Sequence, residues 1–136
     1  MMRAFADSSY WIALLNPHDD LHQKALTLAR RFAEHQIVTT EMVLVEILNG
    51  FASSGEYMRG KAIQVVDALR SNRQVIVIPQ TTHQFENALL RYRRATDKSW
   101  SITDCASFDI MEQSSISAAI THDRHFEQAG FTALLR

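Results

Sequence analysis

Short apolar segments alternate with longer stretches of helical period along the whole chain, and this alternation constrains the fold more than any other feature. The strand-like segments are Arg3–Ala6, Gln36–Thr39, Val75–Ile78, Ala118–Thr121 and a last one near Thr132–Leu135. Strands that are separated by helices predict βαβ units, in which successive strands of one sheet run parallel. We therefore expect an α/β fold, with a mainly parallel five-stranded central sheet flanked by helices.

Three of the stretches between strands place apolar residues on one helical face. These stripes are Leu21, Ala25, Leu28, Ala29 and Phe32; Ile63, Val66 and Leu69; and Phe85, Ala88, Leu89 and Tyr92. The run Met42–Leu48 is apolar on nearly every side, which predicts a buried helix. The segment Gly50–Gly60, which contains Ser53-Ser54-Gly55, is expected to be a loop between two helices.

Length and composition favour one soluble domain that spans residues 1–136. A chain of 136 residues is long enough to enclose a core. Its net charge of −1 means that any nucleic-acid-binding surface must be a local patch. The single cysteine, Cys105, excludes an intrachain disulfide and fits a reducing compartment. Without a membrane-span-like or signal-peptide-like run, the sequence predicts a cytoplasmic location and no membrane association.

Four acidic residues lie where an apolar segment ends or where a charge is unexpected: Asp7, Glu46, Asp104 and Asp123. Asp7 and Asp123 follow predicted strands, and open α/β sheets bind ligands beyond the carboxyl ends of their strands. Carboxylates that converge repel one another unless a cation lies between them. Mg²⁺ and Mn²⁺ are hard cations that prefer oxygen ligands. The pattern therefore predicts a metal-dependent enzyme that hydrolyses phosphodiester bonds.

Each acid also has a purely structural explanation. Asp7, Asp104 and Asp123 stand at predicted helix starts, where aspartate commonly caps the helix or complements its dipole. Glu46 lies inside an apolar run, so it must face a polar cavity, pair with a basic residue or bind a cation. The residues alone leave these alternatives open.

A basic stretch interleaved with aromatic residues precedes Asp104. It comprises Arg91, Arg93, Arg94 and Lys98, together with Tyr92 and Trp100. Such residues can hold RNA phosphates and stack on bases, although a solvated helix end explains them equally well. His18 and His22 have a spacing that can bind zinc on a helix, and His122 and His125 flank Asp123, where they could contact substrate or carry protons; both pairs are interpreted as local structure.

Four segments together resemble the successive motifs of the PIN domain, and more narrowly of VapC-type toxins from type II toxin–antitoxin pairs. They are Phe5–Ser9, Thr40–Glu46, Ser101–Phe108 and Thr121–Phe126. The resemblance implies an α/β/α domain and a Mg²⁺- or Mn²⁺-dependent ribonuclease that cleaves with a 3′-oxygen leaving group. It assigns Asp7, Glu46, Asp104 and Asp123 as metal ligands and catalytic acids, supported by Thr103 and Ser9. It also implies a homodimer and a cognate antitoxin protein.

Other functions remain compatible with the sequence. A PIN nuclease of RNA processing would carry the same acids, and a non-catalytic module would only bind RNA or a protein. A phosphoryl-transfer protein with an aspartyl-phosphate is a further alternative. Against it, no second aspartate stands two residues after Asp7.

Overall fold

A parallel five-stranded sheet forms the centre of the molecule in the computed structural model, which describes residues 2–136. The strands are β1 (Arg3–Ala6), β2 (Gln36–Thr40), β3 (Val75–Ile78), β4 (Ala118–Ile120) and β5 (Thr132–Ala133). They lie in the order β3-β2-β1-β4-β5, and every neighbouring pair is parallel. The predicted α/β fold with a five-stranded central sheet is confirmed.

Seven helices connect and cover the strands. They are α1 (Ser8–Leu15), α2 (His22–Arg31), α3 (Glu41–Gly50), α4 (Gly55–Ser71), α5 (Thr82–Arg94), α6 (Ile102–Gln113) and α7 (Arg124–Gln128). Within residues 2–136, no helix is both long and apolar enough to cross a membrane.

The central position of β1 determines where a ligand can bind. The chain moves outward from β1 to β2 and β3, and then returns to the other side of β1 with β4. In open parallel sheets such a reversal leaves a crevice beyond the carboxyl ends of the two strands concerned. Asp7 lies at the end of β1 and Asp123 follows β4, so both face this crevice end of the sheet.

An aromatic cluster around Phe108 fixes α6 and α7 against the sheet. The Phe108 ring meets the rings of Trp100 and Phe126 edge-on, with centroids 5.1 and 5.0 Å away. Phe126 in turn packs against Phe5 of β1, at 6.2 Å. Phe108 and Phe126 are fully buried. This packing sets the positions of the two helix starts that carry Asp104 and Asp123.

Two local expectations were wrong. The segment Gly50–Gly60 is not a continuous loop, because α4 begins at Gly55, whose φ of +89° turns the chain into the helix. The run Met42–Leu48 is not buried on every side, because Val45 is 50% exposed and Leu48 is 38% exposed.

The apolar stripes of α4 and α5 are also rotated relative to expectation. Ala62 replaces Ile63 on the buried face of α4 beside Val66 and Leu69, and Ile63 itself is half exposed. On α5, Ala88 is buried whereas Phe85 and Tyr92 are exposed. The sequence stripes were therefore wider than the faces that the core covers.

Candidate active site

Asp7 lies at the centre of the site, where β1 ends. Its side chain is 5% exposed, and its Oδ2 accepts a hydrogen bond from Thr121 Oγ1 at 3.0 Å. Thr121 is fully buried directly after β4, and its hydroxyl oxygen also accepts the Asp123 N–H at 3.0 Å. Asp7 stands at the N-cap position of α1, but its side chain makes no capping hydrogen bond there. Thr121 therefore connects the acids that follow β1 and β4.

Glu46 reaches the site from α3. Its Oε1 accepts a hydrogen bond from Ser8 Oγ, 2.5 Å away at the start of α1. Its side chain is partly buried, and no basic residue within 2–136 forms an ion pair with it. The ion-pair explanation of Glu46 thus finds no support, and the polar site explains its position.

Asp104 lies in the first turn of α6 and is 7% exposed. It forms a capping box with Ser101. The Ser101 hydroxyl accepts the Asp104 N–H, and Asp104 Oδ2 accepts the Ser101 N–H, both at 3.0 Å. Asp104 therefore takes part in capping α6, as its purely structural explanation predicts. Because the box uses only Oδ2, it also orients this carboxylate rigidly.

Asp123 stands at the start of α7, next to a histidine that sequence reasoning left outside the site. Asp123 Oδ1 accepts the His125 N–H at 2.9 Å, which is the capping bond expected of an aspartate here. The His125 ring folds back, and its Nδ1 lies 3.2 Å from Asp123 Oδ1 and 3.0 Å from Asp104 Oδ2. His125 thus bridges the two helix starts.

Burial and mutual repulsion affect the pKa of three of the acids. Burial, followed by the charge of Glu46, raises the pKa of Asp7 from 3.8 to about 7, and Asp104 adds to the effect. Burial also raises the pKa of Glu46, to which the charges of Asp104 and Asp123 contribute. The pKa of Asp104 is raised by burial and by Asp123. Carboxylates that raise one another's pKa in this way would be stabilised by a shared cation.

The donor atoms fit a hard divalent cation. No residue within 2–136 donates a hydrogen bond to Glu46 Oε2, Asp104 Oδ1 or Asp123 Oδ2, because the bonds described above use the other oxygen of each carboxylate. Free carboxylate oxygens of this kind are the ligands that Mg²⁺ and Mn²⁺ prefer. Asp104, Asp123 and His125 also offer ligand atoms that all lie within 4.8 Å of one another.

The supporting residues differ in part from those predicted. Ser9 lies one layer behind the acids, with its Oγ 3.3 Å from Thr121 Oγ1. Thr103 lies beside Asp104, and its backbone carbonyl accepts a hydrogen bond from Ser107. The residues that contact the acids directly, Ser8, Thr121 and His125, were missed. The only sequence signal for them was that each stands one or two residues from an acid.

Arg91 forms two ion pairs within the molecule. Its Nε lies 2.8 Å from Asp109 Oδ1, and its Nη2 lies 2.7 Å from Glu112 Oε2. Both partners belong to α6, so Arg91 ties α5 to α6. This placement argues against a free guanidinium that binds RNA phosphates.

The other predicted RNA-contact residues lie on the surface near Arg91. Arg93, Arg94 and Lys98 are exposed, and Lys98 pairs with the neighbouring Asp97 at 2.8 Å. Arg91, Arg94 and Lys98 line one groove of about 560 Å³, which Trp100 also lines but none of the four acids does. This groove, which Asp97 and Asp109 also line, is thus a separate feature from the site of the four acids.

Comparison with known proteins agrees with the fold. The PIN domain family model matches residues 4–132, so the chain belongs to the PIN domain family. The crystal structure of VapC20 from Mycobacterium tuberculosis, a sarcin–ricin loop cleaving toxin, is similar with a TM-score of 0.81 and 27% identity, covering 95% of this chain and 96% of that one. The predicted PIN fold is confirmed, and so is its likeness to VapC-type proteins.

A second solved structure is similar in fold. It is VapBC2 from Rickettsia felis bound to a DNA fragment from their promoter, with a TM-score of 0.64, 13% identity, and coverage of 97% of this chain and 96% of that chain. No curated protein matches the chain.

Proposed function

We propose that this protein is a Mg²⁺- or Mn²⁺-dependent endoribonuclease and the toxin of a toxin–antitoxin pair. The observation that carries the proposal is the convergence of Asp7, Glu46, Asp104 and Asp123 at one end of the sheet, where burial, and after it the charges of neighbouring acids, raises the pKa of the first three. A site that holds several poorly solvated carboxylates at neutral pH is poised for a cation. The likeness to VapC20 supports RNA as the substrate.

The four acids would hold the cation, and their neighbours would keep them in place. When bound, the cation supplies positive charge that polarises the phosphodiester and favours ionisation of water. Ser8 and Thr121 donate hydrogen bonds that favour the ionised forms of Glu46 and Asp7 and so oppose the burial that raises the pKa of both. The capping box fixes the direction in which Asp104 presents its free oxygen.

Cleavage of total RNA and of a sarcin–ricin loop oligonucleotide would test the proposal. Wild type, Asp7→Asn and Asp104→Asn would be compared in Mg²⁺, in Mn²⁺ and in EDTA. Asp67→Asn is a matched control, because Asp67 is an exposed acid on α4. We expect discrete products from wild type and the control in the presence of metal, and none from the two site variants. Equal cleavage by all four proteins would disprove the assignment of the acids.

The same assay separates the rival functions. RNA affinity without turnover in either metal would favour a module that only binds RNA. A labelled protein after incubation with a small phosphodonor would favour the aspartyl-phosphate alternative. A PIN nuclease of RNA processing would cleave in the same metal-dependent way, so it must be distinguished by its effect in cells.

The toxin role, the antitoxin and the homodimer require their own test. Support comes from the VapC20 likeness and from apolar side chains on the surface, such as Val45, Tyr57 and Leu90. Expression in a bacterial host is expected to arrest growth, and co-expression of a small protein encoded beside it should relieve the arrest. Light scattering of the purified protein would measure the dimer. Normal growth with an active nuclease would favour RNA processing instead.

A further inference from the structure

The imidazole ring of His125 lies between two of the acids of the site. Its Nδ1 lies 3.0 Å from Asp104 Oδ2 and 3.2 Å from Asp123 Oδ1. The ring belongs to α7, whose Phe126 is fully buried against Phe5 and Phe108, so the helix that carries the ring is anchored in the core. The position of the imidazole is therefore a consequence of the fold.

The spacing of these donor atoms suits a shared cation. Neighbouring ligands of an octahedral ion that binds at about 2.1 Å are separated by about 3.0 Å. The two distances from Nδ1, which run to the capping oxygens of Asp104 and Asp123, are close to this value and equally close to the length of a hydrogen bond. Asp104 Oδ1 and Asp123 Oδ2 remain available as further oxygen ligands in the same place.

We propose that His125 is a nitrogen ligand of the cation site, together with Asp104 and Asp123, and that it makes the site prefer Mn²⁺ over Mg²⁺. This inference rests on the proposed function, because it concerns the same metal. Mg²⁺ binds oxygen almost exclusively, whereas Mn²⁺, which also prefers oxygen, is a first-row transition ion and accepts an imidazole nitrogen more readily than Mg²⁺ does. A site with one nitrogen ligand therefore discriminates between the two ions, which an all-oxygen site does weakly.

A competing role for His125 is to donate an Nδ1–H hydrogen bond to the carboxylates and only orient them. The variant His125→Asn distinguishes the two roles, because an asparagine amide retains a donor near the position of Nδ1 but supplies no nitrogen ligand. His122→Asn is the matched control. His122 Nδ1 lies 3.1 Å from the carbonyl oxygen of Leu135, so this neighbouring ring makes its hydrogen bond outside the acidic cluster.

Pulsed electron paramagnetic resonance of Mn²⁺ bound to the protein tests direct coordination. We expect a ¹⁴N coupling in wild type and in His122→Asn, its loss in His125→Asn, and its replacement by a ¹⁵N coupling when the histidines of wild type are ¹⁵N-labelled. The labelling measurement needs no variant, so it identifies the coupled nitrogen as that of a histidine even if His125→Asn folds poorly. Bound Mn²⁺ without nitrogen coupling in wild type would overturn the inference.

Titration calorimetry with Mn²⁺ and with Mg²⁺ tests the selectivity. We expect His125→Asn to weaken Mn²⁺ binding roughly tenfold or more and to change Mg²⁺ binding far less. Equal loss for both ions would indicate an orienting role and overturn the inference while leaving the proposed nuclease intact. Wild type that binds neither ion would overturn both, so the two failures are distinguishable.

Discussion

At the scale of single residues, capping and ligand binding are not exclusive roles for the acids. Asp104 and Asp123 each make the hydrogen bond expected of a helix start, and each uses one carboxylate oxygen for it. The cap orients the side chain and leaves the second oxygen free. Asp7 is different, because its Oδ2 accepts a hydrogen bond from Thr121 and its side chain makes no capping bond to α1. Capping therefore accounts for one oxygen of Asp104 and one of Asp123, and it does not account for Asp7.

Asp7 should destabilise the metal-free protein at neutral pH. Raising its pKa from 3.8 to about 7 corresponds to about 4 kcal/mol. The raised pKa means that the folded protein binds a proton at Asp7 more tightly than the unfolded chain does. The penalty is therefore absent below about pH 4, grows as the pH rises and is complete above about pH 7. We expect Asp7→Asn to unfold at a higher temperature than wild type at pH 8, by thermal denaturation in EDTA.

The pH dependence provides the control for this prediction. The difference in Tm between Asp7→Asn and wild type should shrink towards zero as the pH approaches 4. Asp67→Asn, which removes an exposed charge, should show no comparable difference at either pH. An Asp7→Asn protein that is less stable than wild type at pH 8 would contradict the burial of an ionised carboxylate here.

The candidate site could be predicted from the sequence only for residues whose chemistry is unusual for their position. Glu46 inside an apolar run and Asp7 after a strand are examples. Ser8, Thr121 and His125 are ordinary residues at ordinary positions. Their contacts join α1 with α3, β1 with β4, and α6 with α7. Such pairings are set by tertiary packing, which a single sequence does not specify.

At the scale of elements, α3 shows why an apolar run does not define a buried helix. Val43, Leu44 and Ile47 face the core, whereas Val45 and Leu48 lie on the opposite, exposed side. Glu46 lies at the edge between these faces, which lets its carboxylate reach Ser8. The strands were easier to locate because each is a short apolar run between helical stretches, and β2 and β3 are also rich in β-branched residues. The start of α4 was missed because Ser53-Ser54-Gly55 reads as a turn and in fact precedes a helix.

The two faces of α3 should respond differently to substitution. Val45→Lys is expected to change the free energy of unfolding by about 0.5 kcal/mol or less, as is usual for exposed sites. Ile47→Ala should lower it by about 2–5 kcal/mol, because Ile47 is fully buried. Urea denaturation of both variants measures the contrast. A large loss of stability in the monomeric Val45→Lys protein would mean that α3 is covered by another part of the chain.

Arg91 forms the ion pairs that join α5 to α6, whereas the neighbouring Arg94 is exposed. Arg91→Ala removes two ion pairs and leaves the largely buried Asp109 without its cation, so we expect a loss of about 1–3 kcal/mol in stability. Arg94→Ala should leave stability unchanged and weaken RNA binding, with a salt dependence reduced by about one counterion. Urea denaturation and RNA titration at several salt concentrations measure the two effects. Arg91→Ala as stable as Arg94→Ala would show that the ion pairs contribute nothing.

At the scale of the whole molecule, the topology concentrates negative charge that the net charge conceals. The chain carries a formal charge of only −1, yet β1, α3, α6 and α7 bring four acids to one end of the sheet. The strand order places β1 between β2 and β4, so the acid at its end is the most enclosed of the four. The fold therefore carries an electrostatic cost that a bound cation would remove.

Mn²⁺ should consequently stabilise the whole protein and not merely activate it. A ligand at one hundred times its Kd stabilises the folded state by about 2.7 kcal/mol, which for a domain of this size corresponds to an increase in Tm on the order of 10 °C. We expect this increase for wild type in thermal denaturation with saturating Mn²⁺, and a much smaller one for Asp104→Asn, which lacks a ligand charge. Asp67→Asn should behave as wild type, because its carboxylate lies on the exposed face of α4. An equal increase in Tm in all three proteins would mean that the stabilising ion binds elsewhere on the surface. It would contradict metal binding at the acidic site.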